Sequence, residues 1–230
     1  LFNIAEQLAD NVLIVSPKIN QSAKSKSITI KQNINFREMS KNFWIVDGTP
    51  TDCMIFALNH LFNKNKPDLI LSGINAGSNI GDEVSYSGTV AAAWEGAVRG
   101  IDSIALSQYG GDDKINSYEC SQAKGFDIIN YLLKIKSQTP RFYNVNFPFI
   151  ISSNLENVRS SFTTLASQKI ADEILFDDDF SSFMIGRMIN DHSSLINTDL
   201  ECLKKNKISI TPLSLNLSNN EFFNKMNHDI

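Results

Sequence analysis

Cysteine, histidine and positive charge are all scarce in this sequence, and each shortage removes a class of function. Its three cysteines, Cys53, Cys120 and Cys202, stand far apart, without the paired spacing of a structural zinc site or a small disulfide scaffold. They read as reduced core residues of a cytosolic protein. The three histidines, His60, His192 and His228, are equally scattered and form no H-E-x-x-H pattern, which argues against zinc hydrolase chemistry. His60 lies on an amphipathic stretch and reads as a structural residue. There is no G-x-S-x-G elbow for a serine hydrolase. The formal net charge is -4, and the short Lys24 and Lys26 cluster is too small a footprint for duplex nucleic acid. No apolar run approaches the roughly 20 residues that span a bilayer, so no membrane partner is expected. The opening residues lack the pattern of a secretory signal, and a cytoplasmic location is expected.

What is present alternates between strand and helix. Leu1, Ile4, Ala5 and Leu8 share one face at helical spacing, so the sequence is expected to open inside an element, on a helix. Residues 11–16 read as a parallel strand covered on both faces, followed by a polar loop over 17–26. Residues 28–37 and 43–46 read as a β-hairpin excursion. Thr49-Pro50-Thr51-Asp52 places a capping hydroxyl beside a proline and opens a helix through Cys53, Phe56 and Leu61. A strand is expected at 67–72, a glycine-rich loop at 73–88, a small-residue helix at 89–99 and a strand at 101–107. A long helix at 116–136 and a strand at 141–146 continue the series. This alternation predicts an α/β, doubly wound sheet, whose ligands bind outside the carboxyl ends of the strands.

Beyond residue 146 the character changes. Residues 157–164 and 183–189 are β-like and flank the acidic run Asp177-Asp178-Asp179, which predicts a protruding hairpin. A last strand is expected at 207–211 and a short terminal helix at 220–227. The expected organisation is a core over 1–148, then a hairpin arm, last strand and terminal helix over 149–230.

The loop Ser72-Gly73-Ile74-Asn75-Ala76-Gly77-Ser78-Asn79-Ile80-Gly81-Asp82 carries most of the chemical information. Its glycines allow close backbone approach, and Asn75, Ser78, Asn79 and Asp82 supply oxygens. It is neither a Walker A loop nor a dinucleotide fingerprint, since both spacings fail. Tyr86-Ser87-Gly88-Thr89 then stands where a helix begins, so two hydroxyls and a glycine lie at free N–H groups and the positive end of the dipole. A phosphate fits there. Taken alone, the motif is better read as ordinary capping by Ser87 or Thr89, and the two uses are compatible. Ser22 is a possible hydroxyl ligand on the polar loop, with Lys18 or Lys24 as possible phosphate partners. Asp112, Asp113 and Asp177 to Asp179 read as loop charge.

Several blocks of the sequence closely resemble the SurE survival-protein family. They are residues 46–53 (VDGTPTDC), 67–77 (PDLILSGINAG), 86–93 (YSGTVAAA), 144–148 (NVNFP), Thr198-Asp199 and 208–213 (ISITPL), in family order. The resemblance implies a Rossmann-like three-layer α/β/α fold with a protruding C-terminal β-hairpin arm. It implies 5′- and 3′-nucleotidase activity on nucleoside monophosphates, and a homodimer or homotetramer in which the arms are exchanged. It also implies a divalent cation, Mg2+ or Mn2+, held by an Asp-Asp pair, a serine and an asparagine; Ser22 and Asn75 match the last two. Asn79, Ser87, Gly88 and Thr89 match the phosphate-facing positions, with Asn79, Ser87 and Thr89 expected to act in catalysis. The Asp pair belongs to an Asn-Asp-Asp-Gly motif that the family places ahead of the opening helix, and that motif is absent from this sequence. The family's Asp-Arg after Pro17 is Lys18-Ile19 here, and its glycine after the loop serine is Ala23. With the Asp pair missing, a nucleotide-binding module without turnover is the first alternative. A purely structural oligomer is the second.

Overall fold

The computed structural model describes residues 1–62, 65–110, 118–150, 152–166, 169–190, 196–219 and 223. The expected terminal helix at 220–227 and the Asp112-Asp113 pair lie outside the described residues. Helix α1 (Phe2–Leu8) leads into β1 (Ile14–Pro17), β2 (Phe36–Ser40) and β3 (Phe43–Val46). Helix α2 (Pro50–Phe56) is followed by β4 (Leu69–Ala76), α3 (Gly88–Val98), β5 (Asp102–Gln108), α4 (Glu119–Lys134) and β6 (Phe142–Phe147). The rest comprises β7 (Ser160–Phe162), β8 (Lys169–Phe176), β9 (Phe183–Asn190), α5 (Asp199–Lys204) and β10 (Ile208–Pro212).

The main sheet runs β4-β5-β6-β10-β7. Strands β4, β5 and β6 are parallel, β10 lies antiparallel to β6, and β7 pairs parallel with β10. The smaller sheet runs β1-β3-β2, with β1 and β3 parallel. Strands β5, β6 and β10 at the centre of the main sheet bury both faces, but the two faces differ in chemistry. One presents Ile104, Leu106, Tyr143, Val145, Phe147, Ile208 and Ile210 to α4, whose Cys120, Ile128, Ile129 and Leu132 complete an apolar cluster with Ile4 of α1. Each fully buried aliphatic side chain there contributes about 1.5–3 kcal/mol. The other face shows Ala105 and Phe142 to Val90, Ala93 and Ala97 of α3. Strand alternation puts Ser103, Ser107, Asn144, Asn146, Ser209 and Thr211 on that same face, and all six are buried. With α2 packed beside α3 and against β1, the arrangement is the Rossmann-like three-layer α/β/α fold.

Helix α3 approaches the sheet closely because Ala91, Ala92, Ala93, Gly96 and Ala97 present almost no side chain on its buried side. Helix α4 starts and stops inside the expected 116–136, and Lys134 in its last turn suits the dipole there.

Three expectations are corrected. Strand β1 is shorter than 11–16 and half-buried rather than covered on both faces, since among the described residues it pairs only with β3. Of the stretch 28–37, only the end joins a ladder, and Ile28 and Ile30 are exposed. The cause is Asp52, whose carboxylate accepts Thr29 N–H at 2.9 Å and Thr29 Oγ1 at 2.8 Å, drawing this segment to the start of α2. The hairpin is real, but its strands are β8 and β9, paired antiparallel. Residues 160–162 instead extend the main sheet, because β10 offers them a free edge. The acidic run forms the hairpin tip, where Asp177 accepts from Ser181 N–H at 2.8 Å and Ser182 Oγ at 2.6 Å.

Asp52 has a second duty. It accepts Thr49 N–H at 2.9 Å while Thr49 Oγ1 accepts Asp52 N–H at 3.1 Å, a complete capping box on α2 with Pro50 in its first turn. Burial alone would push this carboxyl up, but the N–H and hydroxyl donors of Thr29 and Thr49 outweigh it and hold the group below its ordinary 3.8. A depressed carboxyl stabilises the fold above its unfolded value and loses that contribution as pH falls through the folded one. Asp52→Asn is therefore expected to cost about 1–3 kcal/mol near neutral pH. Urea unfolding at a series of pH values should show the gap to the parent closing as pH drops below 3.8.

Candidate active site

The loops that follow β1, β3 and β4 meet at one end of the molecule. The start of α3 is the meeting point. A Cβ built on Gly88 would lie 2.8 Å from Pro50 Cγ, so glycine here admits the α2 start, and 3.5 Å from the Gln21 carbonyl oxygen, which sets the Ser22 loop in ordinary contact beside it. Two further bonds fasten the same loop: Ser25 N–H donates to the Tyr86 carbonyl at 2.9 Å and Ser25 Oγ to the Ser85 carbonyl at 2.6 Å. From the other side Thr89 Oγ1 donates to Asn75 Oδ1 at 3.5 Å. Ser22, Asn75, Gly88 and Thr89 are thus brought to one rim.

Each side chain is placed by its element. Ser87 is the N-cap of α3, its Oγ accepting Val90 N–H at 3.1 Å, which leaves its own hydroxyl hydrogen to donate outward. Thr89 does not cap; its hydroxyl turns to Asn75. The Asn75 amide donates from Nδ2 to the Gly77 carbonyl at 2.9 Å, which orients Oδ1 toward Thr89. Ser22 Oγ donates to Asn20 Oδ1 at 2.8 Å and keeps its lone pairs. The first turn of α3 leaves N–H groups without helical acceptors, at the positive end of an 11-residue helix.

Asn79 lies deeper than the others. Its N–H donates to Asn146 Oδ1 at 2.8 Å, and its carbonyl accepts from Asn144 Nδ2 at 2.8 Å and Asn146 Nδ2 at 3.0 Å. Its own Nδ2 donates to Ser107 Oγ at 2.6 Å. Ser107 is itself paired with Asn75 on one side and Asn146 on the other, so Asn79 sits over the carboxyl ends of β5 and β6. Asn144, Asn146 and Ser107 were not among the candidate site residues. The signal available was the alternation Phe142-Tyr143-Asn144-Val145-Asn146-Phe147, which puts two amides at strand spacing in an otherwise apolar strand.

Two of the cations near this end, Lys18 and Lys26, are already engaged, while Lys24 is exposed. Lys18 pairs with Asp47 at 2.9 Å, and Lys26 Nζ stands 4.0 Å from the Trp94 ring centroid, its pKa lowered by burial. Two acids lie at the loop, Asp199 buried beneath it and Glu83 half-buried within it. Burial pushes Asp199 up against the lowering effect of the N–H groups of Gly81, Ala166 and Leu200. Burial likewise raises Glu83, eased by Ile80 N–H and reinforced by the Asp199 charge. The cysteines supply no nucleophile, since burial raises the Cys53 thiol to about 12 and that of Cys120 to about 11. A groove of about 390 Å3 at the opposite strand ends, lined in part by Lys66 and Arg141, carries no such chemistry. Lys66 donates to the Arg99 carbonyl and Arg141 pairs with Asp102.

One more feature marks the Ser22 loop. Ala23 holds φ +56°, a conformation that an L residue rarely adopts.

These features define an α/β protein whose ligand rim is built around a helix N-terminus, the arrangement that receives phosphate groups. Comparison with known proteins gives that class a family. The model of the family described as "Survival protein SurE" matches residues 1–172. A "5′-nucleotidase SurE" of Paramagnetospirillum magneticum is 37% identical over 224 residues, covering 96% of this chain and 85% of that protein. That of Caulobacter vibrioides is 35% identical over 231 residues, covering 96% and 86%. The crystal structure of the SurE protein from Aquifex aeolicus matches with a TM-score of 0.80 at 28% identity, covering 98% of this chain and 92% of that one. The chain belongs to the SurE family.

The grip of Asn146 on the Asn79 peptide has a measurable worth. Asn146→Ala leaves a buried N–H without its acceptor and is expected to lower stability by about 1–3 kcal/mol in urea unfolding.

Proposed function

We propose that this protein is a phosphomonoesterase that hydrolyses nucleoside 5′-monophosphates, and 3′-monophosphates as well, to nucleoside and phosphate. The observation that carries this reading is the convergence of Asn75 Oδ1, Thr89 Oγ1 and the first turn of α3 at one rim, with the Ser22 loop against Gly88. The 5′-nucleotidase name of relatives that span nearly the whole chain supports it.

In this reading the substrate's phosphoryl group lies on the first turn of α3. Its oxygens receive the exposed N–H groups and the outward hydrogen of Ser87; Thr89 Oγ1, whose hydrogen goes to Asn75, lines the site beside them, while Asn79 and Gly88 shape the floor beneath. These donors are fixed before substrate arrives, so charge gathering on the phosphoryl oxygens meets dipoles that need no reorganisation. Ser22 Oγ and Asn75 Oδ1 are hard, neutral oxygens and suit Mg2+ or Mn2+ in kind. Among the described residues no three His, Cys, Asp or Glu side chains gather, so the anionic share of such a site rests on the substrate and on the Asp-Asp pair seen in the family pattern. A divalent ion, when bound, polarises the phosphoryl group and supplies an activated water.

The partner is a second copy of the chain, in a homodimer or homotetramer joined through the hairpin. Leu175, Phe176, Phe180, Phe183, Met184 and Ile185 are exposed along it, a larger apolar strip than a free surface usually carries. The working location is the cytoplasm. No helix among the described residues is long and apolar enough to cross a membrane.

The test is phosphate release from nucleoside monophosphates with Mn2+ or Mg2+ and with chelator. Asn75→Ala and Thr89→Ala are each expected to lower kcat/KM by roughly 10²–10³-fold. Unchanged turnover in both sinks the assigned roles. The lack of a carboxylate cluster among the described residues favours one second reading, binding without turnover, which calorimetric binding with no phosphate release selects.

A further inference from the structure

Asp199 is fully buried, yet none of its hydrogen-bond donors is a cation. Its Oδ2 accepts Gly81 N–H at 2.8 Å, and its Oδ1 accepts Ala166 N–H and Leu200 N–H, each at 2.8 Å. The Leu200 bond belongs to the first turn of its own helix, where an acid is ordinary. The other two reach segments 118 and 33 residues away. Gly81 stands two residues after Asn79, in the stretch that leads on to Ser87. Ala166 and Asp199 are the feet of the β8–β9 hairpin, and those feet are tied to each other. Thr164 N–H donates to the Asn197 carbonyl at 3.0 Å, and Asp199 N–H to the Thr164 carbonyl at 2.9 Å.

Only a carboxylate satisfies this geometry. An asparagine would turn its NH2 either on Gly81 N–H or on the pair from Ala166 and Leu200, setting donor against donor in both orientations. Gly81 is pressed against the same foot: it holds φ +52°, and a Cβ there would overlap the Ala166 carbonyl oxygen. The loop is therefore pinned at two places by unrelated parts of the chain, at Asn79 by strand β6 and at Gly81 by the hairpin feet.

We propose that Asp199 is a positioning residue for the phosphate loop, fixing Gly81 against the feet of the hairpin and so setting how Asn79 and Ser87 face the rim. This rests on the reading of the rim as a phosphoryl site. Asp199 touches no substrate; it acts through Gly81, and the hairpin feet become part of the site's scaffold.

The experiment compares the full chain with Asp199→Asn, an isosteric change, by hydrogen exchange and by steady-state hydrolysis of a nucleoside monophosphate. Exchange over residues 77–86 should quicken about tenfold, the equivalent of one hydrogen bond to a charged group, while α4 and β6 stay protected. Per folded molecule kcat should fall by roughly tenfold or more, with KM changed less. Unchanged exchange over 77–86, or exchange that quickens uniformly along the chain, overturns the proposal whatever the activity. If neither protein releases phosphate, the nucleotidase reading fails while the exchange comparison still decides the role of Asp199. Should the asparagine variant not fold, Asp199→Ser, which leaves room for water between the two N–H groups, gives the same comparison.

Discussion

One side chain, Asn146, holds the peptide of Asn79 by both of its polar atoms, and the rim is positioned from that grip. A surface loop ordinarily orders its backbone at about 1–2 kcal/mol per residue with little in return. Here the loop lies on a rigid strand whose amides replace the water its peptide would otherwise keep. Asn144 adds a second donor to the same carbonyl, and Ser107 takes the Asn79 side chain. Asn75 and Thr89 are then placed from either side of a fixed point.

The main sheet divides its labour between two faces. The face toward α4 is aliphatic and aromatic, and burial there supplies the driving force for folding. The opposite face carries serines, threonines and asparagines wherever α3 does not cover it. Thr163 Oγ1 lies 2.9 Å from Ser209 Oγ and 2.8 Å from Thr211 Oγ1, extending the polar stripe to the sheet's far edge. Such a face costs stability, since Asn144 Oδ1 is buried without a partner among the described residues. What it returns is placement: a phosphate-type loop needs a floor that can hydrogen bond to backbone, which an aliphatic floor cannot do.

The parallel β-α alternation was legible from apolar runs and glycine punctuation, and so was the start of α2, where Thr49, Pro50 and Asp52 spell a capping box. The gathering of Asn75, Gly88 and Thr89 at one strand-to-helix junction was legible from their positions, while their use as a phosphate site is the reading proposed above. Residues 28–35 were misread because their alternation fits a strand, while the deciding partner, Asp52, lies more than twenty positions away. Residues 160–162 were misread for a similar reason: a three-residue strand is defined by the edge it meets, not by its own pattern. Asp199 stayed invisible as a bridge, since a Thr-Asp pair before a short helix already has a local explanation as a cap.

The floor under Asn79 contains amides and hydroxyls and no formal charge. Bonds between neutral dipoles have no long Coulomb tail for dissolved ions to screen, so concentrated electrolyte leaves the Asn79 end of the loop in place. If the rim works as proposed, ionic strength acts at its mouth, on the approach of an anion, and not on the neutral floor beneath Asn79.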